Sequence, residues 1–123
     1  MEPLRLVGYW SGEHELNAKY PHPSEFVDPD WSPDEREFMT HYLGRGMVAR
    51  AYMGYSPCRM CDKRDNGCLQ VSDGVYTWPE GLVHYVADHR VRLPTEFVEH
   101  AMNTEDSLGS AEVDETWWLG QRR

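Results

Sequence analysis

The sequence predicts an α+β fold in which a strand and a helix lead into a small unit of thiol-bearing turn, β-hairpin and helix. Three local signals predict it: the pair Cys58-x-x-Cys61, two strand-like runs joined at Asp73-Gly74, and a helical segment carrying His84 and His89. At 123 residues the chain has the size of one domain, near the lower edge of what an ordinary apolar core sustains alone. A single domain over 1–123 is expected, with 46–102 as its core and 103–123 as an acidic, mobile C-terminal tail.

The elements follow in chain order. Leu4 to Trp10 is short and apolar enough for a strand, and a polar connection rich in Pro, His and acidic residues runs on to Asp30. Ser32-Pro33-Asp34-Glu35 forms a capping box, with Pro33 at the first helical position, where its missing N–H is harmless. A helix over about 33–43 follows, with Phe38, Met39, Tyr42 and Leu43 on its apolar face and Gly44 or Gly46 ending it in a left-handed cap. Met47 to Met53 alternates as a strand, with Met47, Ala49, Ala51 and Met53 on one face. Leu69–Ser72 and Val75–Trp78, joined at Asp73-Gly74, form a β-hairpin, because Asp-Gly supplies the positive φ angles of a tight turn. Pro79-Glu80-Gly81 opens a helix through Leu82, Val83, Tyr85 and Val86; Leu93-Pro94 interrupts it, and Thr95 starts another that runs to about Met102.

Charge is unevenly spread. The chain carries a net −9, made of −6 over residues 1–43, +2 over 44–94 and −5 over 95–123. An acidic total disfavours sequence-independent binding to DNA, which depends on many Lys and Arg contacts to phosphate, and suits a partner with a basic surface. No apolar run is long enough to span a bilayer, and Met1-Glu-Pro-Leu-Arg lacks the features of a secretory signal. A cytoplasmic location is therefore expected. The 3 cysteines, two of them at Cys-x-x-Cys spacing, fit metal binding in a reducing compartment better than a disulfide framework.

The order of turn, hairpin and helix is that of zinc-finger and treble-clef units, where two thiolates come from a knuckle and two further ligands from the following helix. The spacing is Cys-x2-Cys-x22-His-x4-His, and the last interval falls within the usual range for such sites. Two thiolates and two neutral imidazoles close a tetrahedral site around one structural zinc ion, which contributes about 10–16 kcal/mol in finger peptides. His84 and His89 stand about 140° apart around an ideal helix. A loosened last turn would bring His89 round; otherwise Cys68 or His100 supplies the fourth ligand.

The run Ala51-Tyr-Met-Gly-Tyr-Ser-Pro-Cys-Arg-Met-Cys61, with Ser72-Asp-Gly-Val-Tyr-Thr-Trp-Pro-Glu-Gly-Leu82, His84-Tyr-Val86 and His89-Arg-Val-Arg-Leu-Pro94, resembles a family of small bacterial proteins of uncharacterised activity. The resemblance covers about residues 46–100. It implies a bacterial, cytosolic, zinc-finger-like protein and says nothing of a substrate.

Catalytic readings fit less well. Pro57-Cys58-x-x-Cys61 matches half of the zinc deaminase signature, but none of His14, His22 and His41 has the glutamate two residues on that the other half needs. A treble-clef nuclease needs a histidine on the hairpin, and Leu69 to Trp78 has none. A Cys-x-x-Cys redox couple belongs at a helix N-terminus in a βαβ context, which this sequence lacks. The leading expectation is a zinc-stabilised protein-interaction module, for example an acidic inhibitor or immunity-type protein, whose partner-binding residues include Trp117 and Trp118. A nucleic-acid-binding finger using Arg59, Lys63, Arg64, Arg90 and Arg92 is the alternative, and a zinc or thiol-redox enzyme the third.

Overall fold

Three chain segments pair into an antiparallel meander, and a fourth joins from the N-terminus. In the computed structural model, which describes residues 2–12 and 15–122, these are β1 (Arg5–Leu6), β2 (Met47–Ala51), β3 (Leu69–Ser72) and β4 (Tyr76–Pro79), in the sheet order β1-β4-β3-β2. β4 lies parallel to β1 and antiparallel to β3, with Val71 opposite Trp78 and Ser72 opposite Thr77. β2 pairs antiparallel with β3 at the other edge. The helices are α1 (Pro33–Gly44), α2 (Leu82–His89), α3 (Thr95–Gly109) and the short α4 (Thr116–Leu119). Among the described residues no helix is long and apolar enough to cross a membrane.

The hairpin forms one residue later than the sequence predicts. Asp73 donates its amide to the Tyr76 carbonyl, so Gly74 and Val75 make the loop and the second strand begins at Tyr76. Gly74 takes φ +95° there, a conformation that side-chain-bearing residues avoid. The shift follows from Asp73 Oδ1, which accepts the amides of Val75 and Tyr76 at 2.9 and 2.7 Å and so winds the turn forward.

α1 begins where the capping signal places it, but the box is half formed. Ser32 Oγ accepts the Glu35 amide, whereas Glu35 Oε1 takes the indole N–H of Trp31 at 2.7 Å. The helix ends without a left-handed glycine: the cap is Arg45 at φ −103°, and neither Gly44 nor Gly46 has positive φ. Gly46 answers a demand for space instead, since a Cβ there would lie 2.2 Å from Val71 Cγ1 and 2.8 Å from Trp78 Cζ2.

Trp78 lies at the centre of the core, fully buried, with its Nε1–H donated to the Leu43 carbonyl at 3.2 Å. Tyr42 and Phe97 pack on it, and Met39, Leu82, Val86, Val91, Leu93 and Val98 complete the apolar cluster joining α1, α2 and α3. Each fully buried large side chain is worth about 1.5–3 kcal/mol, so this cluster seats α2 in a fixed position, which is what the site below requires.

Several predicted boundaries move. The N-terminal strand is confined to Arg5–Leu6, with the Val7 amide extending its pairing to Thr77. β2 has no buried face: every residue of it is exposed, and an irregularity between Val48 and Arg50 breaks the alternation on which the face assignment rested. α3 continues past Met102 to Gly109; Thr104 donates to the His100 carbonyl and Arg45 pairs with Glu105, contacts that carry the helix on after its apolar face has ended.

Candidate metal centre

β2 and β3 are joined by a long connection, and the knuckle is its tip. The Ser56 amide donates to the Gly67 carbonyl and the Asn66 amide to the Ser56 carbonyl, which narrows the connection to a neck. Beyond that neck Cys58 donates its amide to the Lys63 carbonyl at 2.8 Å, and the Met60 amide donates to Cys58 Sγ at 3.3 Å. The turn therefore presents two sulfurs on the same side while its own amides hold them.

α2 supplies the other half. Its first turn follows β4 directly, and its buried residues Leu82, Tyr85 and Val86 fix its rotation. The Tyr85 hydroxyl accepts the Arg59 amide at 2.8 Å, a direct bond between helix and knuckle. Burial pushes that phenol up to about 12, so it stays a neutral hydroxyl at physiological pH.

The ligand atoms of Cys58, Cys61, His84 and His89 all lie within 4.8 Å of one another. Cys58 Sγ is 3.5 Å from His89 Nε2, and Cys61 Sγ is 3.3 Å from His84 Nε2. The two imidazole rings meet edge to face with centroids 4.8 Å apart. These four side chains are positioned to bind a metal ion. The angular separation of the histidines is no obstacle, because each imidazole meets a different sulfur of the knuckle. His89 is the last residue of α2, and the following Arg90 takes the left-handed conformation, at φ 53°.

The protonation states agree with this role. Burial and the neighbouring His84 hold the His89 imidazole below its usual range, so it is neutral, the form that ligates. The Lys63 amide pulls the Cys61 thiol down, but desolvation and the adjacent Cys58 outweigh it and hold the thiol above its ordinary value. A thiol that resists ionising alone gives up its proton when it binds a divalent cation.

Of the two residues expected to compete for the fourth position, neither joins the cluster. His100 Nε2 lies 3.0 Å from Asp73 Oδ2, against the hairpin tip. Cys68 is half-buried on the far side of the neck, its amide donated to Glu80 Oε1 at 2.9 Å. Two contributors escape the sequence reading. Asp88 Oδ2 lies 2.8 Å from His84 Nδ1, leaving Nε2 to face the sulfurs, and carboxylates that orient ligand histidines in this way recur at metal sites. Its spacing of i,i+4 from His84 on a helix was the available signal. The Tyr85 hydroxyl had no comparable signature.

Trp117 and Trp118 are 71% and 69% exposed on α4. Of the basic residues assigned to a nucleic-acid surface, Arg92 is paired with Asp28 at 2.9 Å and Lys63 with Asp65 at 3.4 Å. His14, weighed in the deaminase comparison, lies outside the described residues. Comparison of the chain with known protein families, with curated proteins and with solved structures finds no match.

Proposed function

We propose that the chain is a zinc-stabilised protein-interaction module whose metal is structural. The observation that carries this reading is the closed donor set: two sulfurs and two imidazole nitrogens converge within 4.8 Å. Bond lengths of about 2.3 Å to sulfur and 2.0–2.1 Å to nitrogen put tetrahedral ligand edges near 3.3–3.8 Å. The sulfur–nitrogen separations of 3.5 and 3.3 Å fit those edges. A soft thiolate pair with imidazoles favours zinc over the hard cations that oxygen ligands hold. With all four positions taken by side chains, none is left for a substrate or an activated water, which speaks for a structural rather than a catalytic ion. Knuckle, hairpin β3–β4 and helix α2 would then form a treble-clef-like unit on which the N-terminal strand and α1 are an extension.

The partner proposed is another protein with a basic surface, since both the first 43 and the last 29 residues are strongly acidic and Trp117 and Trp118 stand exposed within the acidic end. The engagement of Arg92 and Lys63 by carboxylates weakens the competing nucleic-acid reading. Cobalt substitution tests the metal assignment. Intense visible bands of a four-coordinate ion with thiolate charge transfer are expected; a five-coordinate or water-bound spectrum would move the protein to the zinc enzymes. Titration with duplex and single-stranded DNA at moderate salt is expected to give no binding, and steeply salt-dependent binding would replace the protein partner with nucleic acid.

A further inference from the structure

Beside the knuckle lies a cleft of about 520 Å³. That volume is in the range of about 300–1,000 Å³ typical of small-molecule sites. Its walls come from segments distant in sequence: Tyr9 and Trp10 after β1, Tyr20 from the N-terminal connection, Tyr52 and Tyr55 after β2, and Tyr85 from α2. Five of the chain's 7 tyrosines line it. Tyr9 and Tyr20 already pack with ring centroids 6.2 Å apart, and Trp10 and Tyr85 with centroids 5.8 Å apart. Tyr9, Tyr20, Tyr52 and Tyr55 bring aromatic rings to the cleft wall, and burial, then the neighbouring Tyr52, pushes the Tyr9 phenol well above its ordinary value.

The electrostatics are the reverse of the chain's. The protein has 21 acidic residues, yet none is among the described residues that line this cleft or the adjoining one of about 760 Å³, into which it runs past Tyr55, Ser56 and Arg59. The adjoining part carries Arg59, Arg64 and His22. Arg59 is held in place by neutral acceptors, the Ser11 and Pro57 carbonyls and Ser56 Oγ, and no carboxylate pairs with it among the described residues. Its guanidinium is therefore positioned without being neutralised. Trp10, at the back of the cleft, is only 8% exposed, and its buried Nε1–H has no acceptor among the described residues. A buried donor without a partner is uncommon in folded proteins.

We propose that this cleft binds a small flat-ringed anion, the ring stacked among the tyrosines and a carboxylate or phosphate held by Arg59. Aromatic side chains take planar rings on their faces, and a guanidinium fixed by its own neighbours meets a planar or tetrahedral anion with little further ordering. The site is independent of the proposed protein partner, and its test is run on the metal-loaded full chain.

The test is a two-dimensional NMR titration of the labelled protein, following the indole N–H signals, with Trp10 assigned through Trp10→Phe. The probes are adenosine monophosphate, uridine monophosphate, indole-3-acetate and, as the cationic counterpart of the last, tryptamine. A saturable shift of the Trp10 signal with at least one of the three anions and none with tryptamine is expected. Nucleotide against aromatic carboxylate decides which anionic group Arg59 prefers. Arg59→Gln should weaken that binding about tenfold or more, the loss expected for a charge-assisted hydrogen bond. If Arg59→Gln loses its metal, Tyr52→Leu, at a half-exposed wall position, replaces it and should weaken binding at least threefold. No shift with any anion, equal binding of tryptamine, or unchanged affinity in the variant used overturns the proposal.

Discussion

Removing the metal from the purified chain should lower its melting temperature by about 12–20 °C. The magnitude follows from what the centre joins. The contact of Cys58 with His89 bridges 31 positions of sequence. Closing a loop of that length restricts the unfolded chain by about 4 kcal/mol in the chain-entropy treatment of cross-links. Mass action gives a similar figure, because a ligand present at a thousandfold excess over its dissociation constant stabilises by about 4 kcal/mol. For a chain of this length each kcal/mol moves the midpoint by about 3–5 °C. The assay is calorimetry at neutral pH with and without a strong chelator, under reducing conditions, with the metal content of both samples measured. A metal-free sample melting within about 2 °C of the loaded one would show that packing of Leu82, Tyr85 and Val86 alone positions α2, and the reasoning would fail.

Four further outcomes are expected. Cys58→Ser and His89→Gln should each abolish stoichiometric metal binding, whereas Cys68→Ala and His100→Gln should retain one ion per chain in elemental analysis. Asp88→Asn should keep the fold but weaken metal affinity about 10- to 100-fold in competition with a chromophoric chelator, because His84 Nδ1 loses its carboxylate. Asp73→Ala should destabilise by about 3 kcal/mol in urea titrations at pH 7, since its carboxylate accepts the amides of Val75 and Tyr76, the Tyr42 hydroxyl at 2.6 Å and faces His100 at 3.0 Å. Burial alone would raise the Asp73 carboxyl, but the Tyr42 hydroxyl, the two amides and His100 prevail and hold it below its ordinary value of 3.8. A depressed folded value means that this contribution is complete above the ordinary aspartate range and is lost as the pH falls from there through the folded value. Asp73→Asn should flatten that acid limb.

What could be read locally was decided by local chemistry. Ser32-Pro33 starts α1 because an oxygen acceptor and a fixed φ satisfy a helix end wherever the rest of the chain goes. The turn near Gly74 is visible for the same reason, and so is the order of thiols, hairpin and imidazoles along the chain. The errors have a common origin in contacts the sequence does not display. Asp73 moves the hairpin by one residue because its two oxygens divide between the turn amides and side chains on α1 and α3. Gly46 is explained by Val71 and Trp78, and β2, at one end of the sheet, is exposed along its whole length. The metal centre divides along the same line. Donor types and spacing marked Cys58, Cys61, His84 and His89, but periodicity set the two histidines on different sides of the helix and left Cys68 and His100 as rivals. Only the tertiary structure brings the first four together and leaves Cys68 and His100 apart, because the convergence of four side chains depends on where the core seats α2 against the knuckle, and seating is a property of long-range packing.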